Sequence, residues 1–439
     1  MALLALCLVF GGASQENAIL VAGLELAALP VLFLAGQRLW RSGAYRNART
    51  ALALAALAVA IPLLQLVPLP FDVWSGLPGR QDYLVAAGLL DVRPWQPATL
   101  TPEETWRSAL ALLPPLAIFM ATLVVGPETR RGMVVIILSV ALASALIGAV
   151  QLASGGARLL YPYDPTNLGS AVGLFSNRNH LATLLLVSLP LAGVLIGSTY
   201  RDVRADRRLQ VALAVLFVLV ALVAIAATRS RAGILLAGPA LVAALVVAWR
   251  SSGRGGQKGG LIGLALVGVV AIAAVATFSL SPILDRFDRD ASAEARFQYW
   301  PTVVTTAEAF LPLGSGIGSF EPVFQSFEPP ETLGEAIFNH AHNDYLEIWM
   351  EAGWLGAIGV ALFVLWWGRQ SLVAWQSAGA PGDLRAAASA GIGLMLLHAL
   401  GDYPLRTEAM AAVFAFACAI LATNMQRDRS RGRSSSAAA

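Results

Sequence analysis

The chain has 439 residues, of which 57% are hydrophobic and only 13% are charged. A soluble domain carries about 25% charged residues, so the composition excludes an ordinary soluble enzyme and indicates an integral membrane protein. The formal net charge is +3, but the arginines lie in small clusters at the ends of apolar runs, which predicts topology signals rather than a nucleic-acid partner. Both cysteines, Cys7 and Cys418, fall inside apolar runs, which excludes a disulfide framework.

Apolar runs of about 20 residues predict membrane-spanning helices. About twelve such runs predict an all-α integral membrane protein with one polytopic domain, residues 1–426, and a basic, disordered cytoplasmic tail, residues 427–439. In chain order, the predicted spans are residues 2–14, 18–36, 50–69, 108–125, 132–153, 181–198, 210–227, 232–249, 261–279, 353–368, 387–401 and 408–424.

Every second joint between these spans is rich in arginine, and the tail adds the sequence RDRSRGR. The positive-inside rule therefore predicts that both termini are cytoplasmic. The other joints then face outward, and the longest of them is residues 280–352, ahead of the tenth span. These outward joints contain three of the four histidines, so we expect any chemistry to take place on the outer face of the membrane.

The outward turn between the seventh and eighth spans contains Arg229 and Arg231 in the sequence TRSRAG. The positive-inside bias disfavours cations at this position. Two alternatives account for them: the side chains reach lipid headgroups, or they form an anion site, because the guanidinium fork suits phosphate and stays charged at any pH.

The stretch FNHAHNDYLEIWMEAGWLG places His340 and His342 ahead of an apolar run. If a helix begins near Asn343, His342 lies in its first turn, where the helix dipole disfavours the imidazolium and favours a neutral general base. Two alternatives remain open. His340, His342 and Asp344 have the composition of a metal site, and two histidines can also simply satisfy a loop.

Other outward segments carry further candidates. Arg178 and His180 in SNRNH precede the sixth span and are candidates for contact with substrate, and Arg296 lies four positions before Trp300. The segment GSGIGS, residues 314–319, lacks the lysine of a phosphate-binding loop, so we predict a tight turn that brings backbone close to a helix or ligand. Within the eleventh span, His398 is expected to pair with Asp402 four residues on.

Two spacings resemble a known family. His342 is followed after ten residues by Gly353, and Arg231 after three residues by Leu235, whereas His340 and Arg229 match neither pattern. With the number of spans and the long outward loop, these motifs resemble the O-antigen ligase and polymerase superfamily. Its members are bacterial inner-membrane glycosyltransferases of the GT-C class that act on glycans carried by undecaprenyl diphosphate.

The resemblance implies an inverting transfer without metal or cofactor. His342 would be the catalytic base, and Arg231 and Arg296, with Arg229 as an additional cation, would bind the diphosphate; Asn343 and Glu347, like His340, are further candidates for substrate contact. The partners implied are the lipid-linked donor, an acceptor glycan or lipid A-core, and the bilayer. Polymerisation of O-antigen or exopolysaccharide repeat units is the first hypothesis, and ligation to lipid A-core in lipopolysaccharide biosynthesis the second. A lipid-linked glycan transporter, or a sensor or scaffold without catalysis, is the alternative from another class.

Overall fold

The computed structural model describes residues 1–13, 17–90, 93–166, 168–199, 207–252, 291–330, 337–377 and 379–423. Over these residues the chain forms sixteen α-helices. The first eight are α1 Ala2–Phe10, α2 Ala18–Ser42, α3 Arg49–Gln65, α4 Phe71–Trp74, α5 Gln81–Leu90, α6 Pro102–Leu110, α7 Leu113–Val124 and α8 Pro127–Ala153. The others are α9 Arg178–Thr199, α10 Arg207–Thr228, α11 Arg231–Ser251, α12 Ala291–Ala309, α13 Phe320–Phe327, α14 Asp344–Gln376, α15 Ala380–His398 and α16 Glu408–Ala422.

The strands in this part of the chain form one small antiparallel ribbon. Strand β1, Pro68–Leu69, pairs with β2, Gln96–Pro97, so that Pro68 faces Pro97 and Leu69 faces Gln96. The ribbon closes the loop between α3 and α6, which the sequence predicts to face outward.

Six helical segments within the described ranges are long and apolar enough to cross a membrane: Ala18–Ser42, Pro102–Val124, Pro127–Ala153, Arg178–Ser198, Arg231–Ser251 and Asp344–Gln376. Three shorter apolar helices accompany them: Arg49–Gln65, Ala212–Thr228 and Glu408–Ala422. The predicted all-α membrane class is thereby confirmed, but the count of about twelve spans is not. Helix α1 is nine residues long, shorter than predicted, and the predicted span 261–279 and tail 427–439 lie outside the described residues.

The predicted outward loop 280–352 is not a plain loop where the structure describes it. It contains α12 and α13, and α14 begins at Asp344, nine positions before the predicted tenth span. Helix α14 is kinked at Gly353, whose φ of 56° and ψ of −142° are not helical. A Cβ atom at this position would lie 2.2 Å from the carbonyl oxygen of Pro312, so only glycine fits the approach.

The segment GSGIGS forms a turn around the first half of α14, as predicted. Gly314, Gly316 and Gly318 all have positive φ angles, of 81°, 119° and 85°. The backbone N–H of Gly316 donates to the carbonyl oxygen of Glu351 at 2.9 Å, and that of Gly318 donates to the Glu351 carboxylate at 2.9 Å. The turn therefore fixes the short helical segment that precedes the kink.

The helix ends sort into two groups. At one end of the bundle, the N–H of Asp344 at the start of α14 donates to Ala399 O, just after α15 (3.1 Å), and the N–H of Ala409 in α16 donates to Gly11 O, just after α1 (3.0 Å). At the other end, Arg250 of α11 donates to the carbonyl oxygen of Trp375 in α14. Helices α14, α15 and α16 thus alternate in direction.

Candidate active site

The four histidines of the chain come together at the first of these bundle ends. The rings of His180, His340 and His342 surround Tyr403, with centroid separations of 5.4, 4.1 and 5.0 Å. His398, the last residue of α15, lies one short turn before Tyr403 in the chain. Three separate segments of sequence, around residues 180, 340–342 and 398–403, therefore build one polar centre.

His342 makes a hydrogen bond with Asp402. Its Nδ1 atom lies 3.2 Å from Asp402 Oδ1, and the Asp402 side chain is 1% exposed. Because a carboxylate only accepts hydrogen bonds, Nδ1 carries the proton and the lone pair of the neutral ring is on Nε2. Burial raises the pKa of the Asp402 carboxyl, but the hydrogen bond with His342 and the neighbouring imidazoles outweigh it and hold that pKa below its usual range.

The start of α14 fixes the backbone position of His342. Asn343 caps α14, because its Oδ1 accepts hydrogen bonds from the N–H groups of Tyr345 and Leu346 at 3.0 and 3.2 Å. His342 therefore lies just before the helix rather than in its first turn, with a φ of 49° that non-glycine residues seldom adopt. The capping bonds account for Asn343 structurally.

His340 pairs with a different acid. Its Nδ1 lies 2.7 Å from Glu347 Oε1, and the N–H of Ala341 donates to Glu347 Oε2 at 2.9 Å. Glu347 is completely buried, and its carboxylate is occupied by these groups and by Arg406. The two imidazoles of the HAH sequence thus contact separate carboxylates instead of converging on one point.

Arg406 lies among three carboxylates of α14. Its guanidinium is 3.5 Å from Asp344, 3.2 Å from Glu347 and 3.1 Å from Glu351. These acids follow one another at helical spacing, so they share one face of the segment before the kink. Burial lowers the pKa of Arg406, but the three carboxylates outweigh it and raise that pKa above its usual value.

The turn that carries Arg229 and Arg231, the arginine turn, lies at the same end of the bundle as the four histidines. Ser230 caps α11 by accepting from the N–H of Gly233 at 3.1 Å, and Arg231, half-buried, is the first helical residue, whereas Arg229 is exposed. A Cβ atom on Gly233 would lie 2.7 Å from the Cβ of Ala182, so α11 begins against α9 two residues from His180. Contacts through His180 and Tyr403 lead from there to His342.

The remaining candidates adjoin the centre. Arg178 is half-buried at the start of α9, and His180 is completely buried. Arg296 lies in α12, but its side chain is outside the described part of the structure. One helical turn further on, Trp300 donates its Nε1–H to the carbonyl oxygen of Ala341 at 3.1 Å. This bond places α12 against the loop that carries His340 and His342, the histidine loop.

Sequence reasoning did not assign Asp402, Tyr403 or Arg406 to the candidate site. The predicted pairing of His398 with Asp402 along one helix is wrong, because α15 ends at His398 and Asp402 turns toward His342 instead. A signal was available in the sequence: the same arginine alternation places the joint GDYPLR, residues 401–406, on the outward side.

Apolar helices around a buried centre of imidazoles, carboxylates and guanidiniums define this chain as a multi-pass membrane protein with a polar site at one bundle end. Residues 215–361 match a family model described as O-antigen ligase, and no match is found among curated proteins. This match supports the resemblance to the O-antigen ligase and polymerase superfamily that the motifs indicate. The match includes Arg231, Arg296 and His342 and ends before Asp402.

Proposed function

We propose that this chain is a bacterial inner-membrane glycosyltransferase that moves a glycan from undecaprenyl diphosphate to an acceptor hydroxyl on the periplasmic face. We propose further that it polymerises repeat units of O-antigen or exopolysaccharide. The observation that carries the proposal is the hydrogen bond of 3.2 Å between His342 Nδ1 and the buried Asp402, because it leaves Nε2 of the same ring as a proton acceptor.

The transfer begins with the acceptor hydroxyl. His342 Nε2 takes the hydroxyl proton, and the acceptor oxygen forms a bond to the anomeric carbon of the donor glycan. The bond between that carbon and the diphosphate oxygen breaks, and its electron pair leaves with the diphosphate. Attack from the face opposite the leaving group inverts the anomeric configuration. The Asp402 carboxylate stabilises the imidazolium that forms, as a buried acid does in other base–acid pairs.

The leaving diphosphate gains negative charge as the bond breaks. Arg231 and Arg296 are the groups that we assign to it, with Arg229 as an additional cation near Arg231. Guanidiniums suit this role because they stay charged and bind phosphate oxygens in a bidentate way. Cations placed in advance where charge develops are worth several kcal/mol of barrier, about 10²–10³ in rate per group, so this mechanism assigns no step to a metal ion.

Complementation of a strain that lacks the corresponding activity tests the proposal. We expect His342→Ala, Arg231→Ala and Arg296→Ala to abolish long surface glycan on gels while the protein accumulates normally in the membrane. Arg41→Ala, which removes an exposed arginine from the last turn of α2, is the matched control and should restore wild-type glycan. Wild-type glycan from all three site variants would exclude the proposed site.

Ligation of finished polysaccharide to lipid A-core is the second candidate, because the matching family model is described as O-antigen ligase. The same strains separate the two activities. Accumulation of single lipid-linked repeat units in the His342→Ala strain indicates a polymerase. Accumulation of long chains that stay on the carrier lipid indicates a ligase.

A further inference from the structure

Three completely buried side chains behind the His342–Asp402 pair carry polar atoms that have no hydrogen-bond partner in the described structure. These atoms are Asp402 Oδ2, His398 Nε2 and both ring nitrogens of His180. A buried polar group without a partner costs about 1–3 kcal/mol. Buried polar groups in native proteins are therefore usually paired with protein or with ordered water.

Short local connections hold these three side chains near one another. The N–H of Gly401 donates to the carbonyl oxygen of His398 at 3.0 Å, which forms a tight turn between His398 and Asp402. The Nδ1 of His398 lies 2.9 Å from the hydroxyl oxygen of Thr183, and Thr183 is one turn of α9 after His180. The edge of the His180 ring packs on Tyr403, the neighbour of Asp402.

The hydrogen-bond roles of the atoms follow from Thr183. Its hydroxyl donates to the carbonyl oxygen of Asn179 at 2.8 Å, so its oxygen accepts from the Nδ1–H of His398. In neutral His398 the Nε2 atom is then an acceptor. Asp402 Oδ2 is also an acceptor, and a neutral His180 offers one N–H donor and one acceptor nitrogen. The two acceptors Asp402 Oδ2 and His398 Nε2, with the N–H of His180, are the complement of a single water molecule, which donates two hydrogen bonds and in buried sites makes about three in all.

We propose that one ordered water is bound between Asp402, His398 and His180, and that His180 and His398 are positioning residues that hold the Asp402 carboxylate on His342 through this water. The water site stands on the buried atoms alone, whereas its part in transfer rests on the proposed function. The titratable groups that interact with Asp402 and its imidazole neighbours are His180, His340, His342, His398 and Asp344. Arg406 interacts in turn with Asp344.

The water changes the proton affinity of His342 through the carboxylate. By donating to Oδ2, it stabilises the negative charge that also faces the imidazole. Without that bond, His342 is left as the principal donor to Asp402, and the protonated imidazole is favoured. We therefore expect loss of the water to raise the titration midpoint of His342 by about one pH unit, the change that corresponds to one hydrogen bond to a charged group.

Solid-state NMR of the full chain in lipid bilayers, labelled with ¹⁵N only at histidine, tests this without any substrate. We expect magnetisation transfer from bound water to ring nitrogens of both His180 and His398 in the wild-type protein. His180→Phe keeps a ring beside Phe175 and Tyr403 but removes both nitrogens, and it should raise the His342 midpoint. Phe175→Leu alters the packing on the other side of the same ring, at a centroid distance of 6.3 Å, and should leave the midpoint unchanged.

The inference is overturned if wild-type spectra show no water transfer to either His180 or His398. It is likewise overturned if the His342 midpoint is the same in wild type and His180→Phe, or moves equally in both variants. The wild-type spectrum decides the water site even if a variant fails to fold. Because no glycan is involved, failure of this test is distinct from failure of the proposed transfer activity.

Discussion

At the scale of single residues, His342 and His340 differ in whether the carboxylate that each contacts also contacts a guanidinium. Glu347 Oε1 accepts from His340 at 2.7 Å and also contacts Arg406 at 3.2 Å, so part of its charge is already neutralised. In the described part of the chain, Asp402 Oδ1 makes its hydrogen bond with His342, at 3.2 Å, and not with a guanidinium. The charge of Asp402 is therefore available to stabilise an imidazolium at His342, which favours His342 over His340 for the proposed role.

Asp402→Asn tests this difference. An amide in place of the carboxylate no longer stabilises an imidazolium and can donate to Nδ1, which favours the wrong tautomer. We expect the initial rate of glycan transfer to fall by about 10²-fold or more, the usual contribution of a positioned base. Asp164→Asn, which changes an exposed acid paired with Arg158, should keep the wild-type rate. A wild-type rate from Asp402→Asn, at equal protein amounts, would contradict the assignment.

Arg406 is expected to be a determinant of stability. Arg406→Ala leaves Asp344, Glu347 and Glu351 without their shared cation, and removal of one partner of a buried ion pair costs about 3–5 kcal/mol. Arg107→Ala removes an arginine that is 65% exposed and paired with Glu103, and an exposed pair is worth about 0–1 kcal/mol. Chemical unfolding in detergent should separate the two variants, and equal stabilities would argue against the buried cluster.

At the scale of elements, the kink in α14 gives a structural reason for the spacing between His342 and Gly353. The ten residues between His342 and Gly353 span the cap and the short helical segment that carries the three acids. Gly353 ends this segment where Pro312 approaches, and the N–H of Trp354 donates to Pro312 O at 3.0 Å. The spacing thus fixes how far His342 lies from the kink.

Gly353→Ala should disrupt this arrangement. Alanine strains the positive φ at a cost of about 1–3 kcal/mol, and its Cβ would lie 2.2 Å from Pro312 O. We expect lower stability and loss of transfer. Gly238→Ala in α11 is the control, because no atom lies within 4 Å of the position that its Cβ would take and alanine favours a helix by about 0.5–1 kcal/mol. If both variants keep wild-type melting temperatures and rates, the kink has no role in the site.

The elements also show what a sequence pattern can predict. The apolar runs predict helices such as α8 and α11 within about five residues at each end, because their apolar length is visible directly. They do not extend over the first half of α14, because Asp344, Glu347 and Glu351 make it polar. The helix start that the sequence analysis considers near Asn343 is nevertheless observed. The cation that these buried acids share, Arg406, is distant in sequence and leaves no periodic signal.

At the scale of the whole molecule, the helix directions determine which loops meet. The arginine alternation predicts that the histidine loop and the arginine turn face the same side, and the structure brings both to one end of the bundle. The sequence pattern assigns Asp402 to a helix with His398, and only the end of α15 at His398 reveals the turn that directs it toward His342. Contacts between loops of distant sequence depend on tertiary packing, which local patterns do not contain.

Cysteine labelling in intact cells tests the predicted orientation. Cys7 and Cys418 are buried, so an introduced cysteine gives the main signal. A membrane-impermeant maleimide should label Leu159→Cys, at a position that is 97% exposed in a joint predicted to face outward. It should label Arg41→Cys only after the cells are opened. The reverse labelling pattern would place the four histidines on the cytoplasmic side of the membrane.

His342 is proposed to be the base for glycan transfer from a lipid diphosphate. The most direct measurement uses purified protein in vesicles with a glycan on undecaprenyl diphosphate, and follows the release of undecaprenyl diphosphate and the anomeric configuration of the new bond by NMR. We predict release with inversion for the wild-type protein, and a rate lower by at least about 10²-fold for His342→Gln with donor binding retained. Transfer by His342→Gln at the wild-type rate, or a product with retained configuration, would contradict the account.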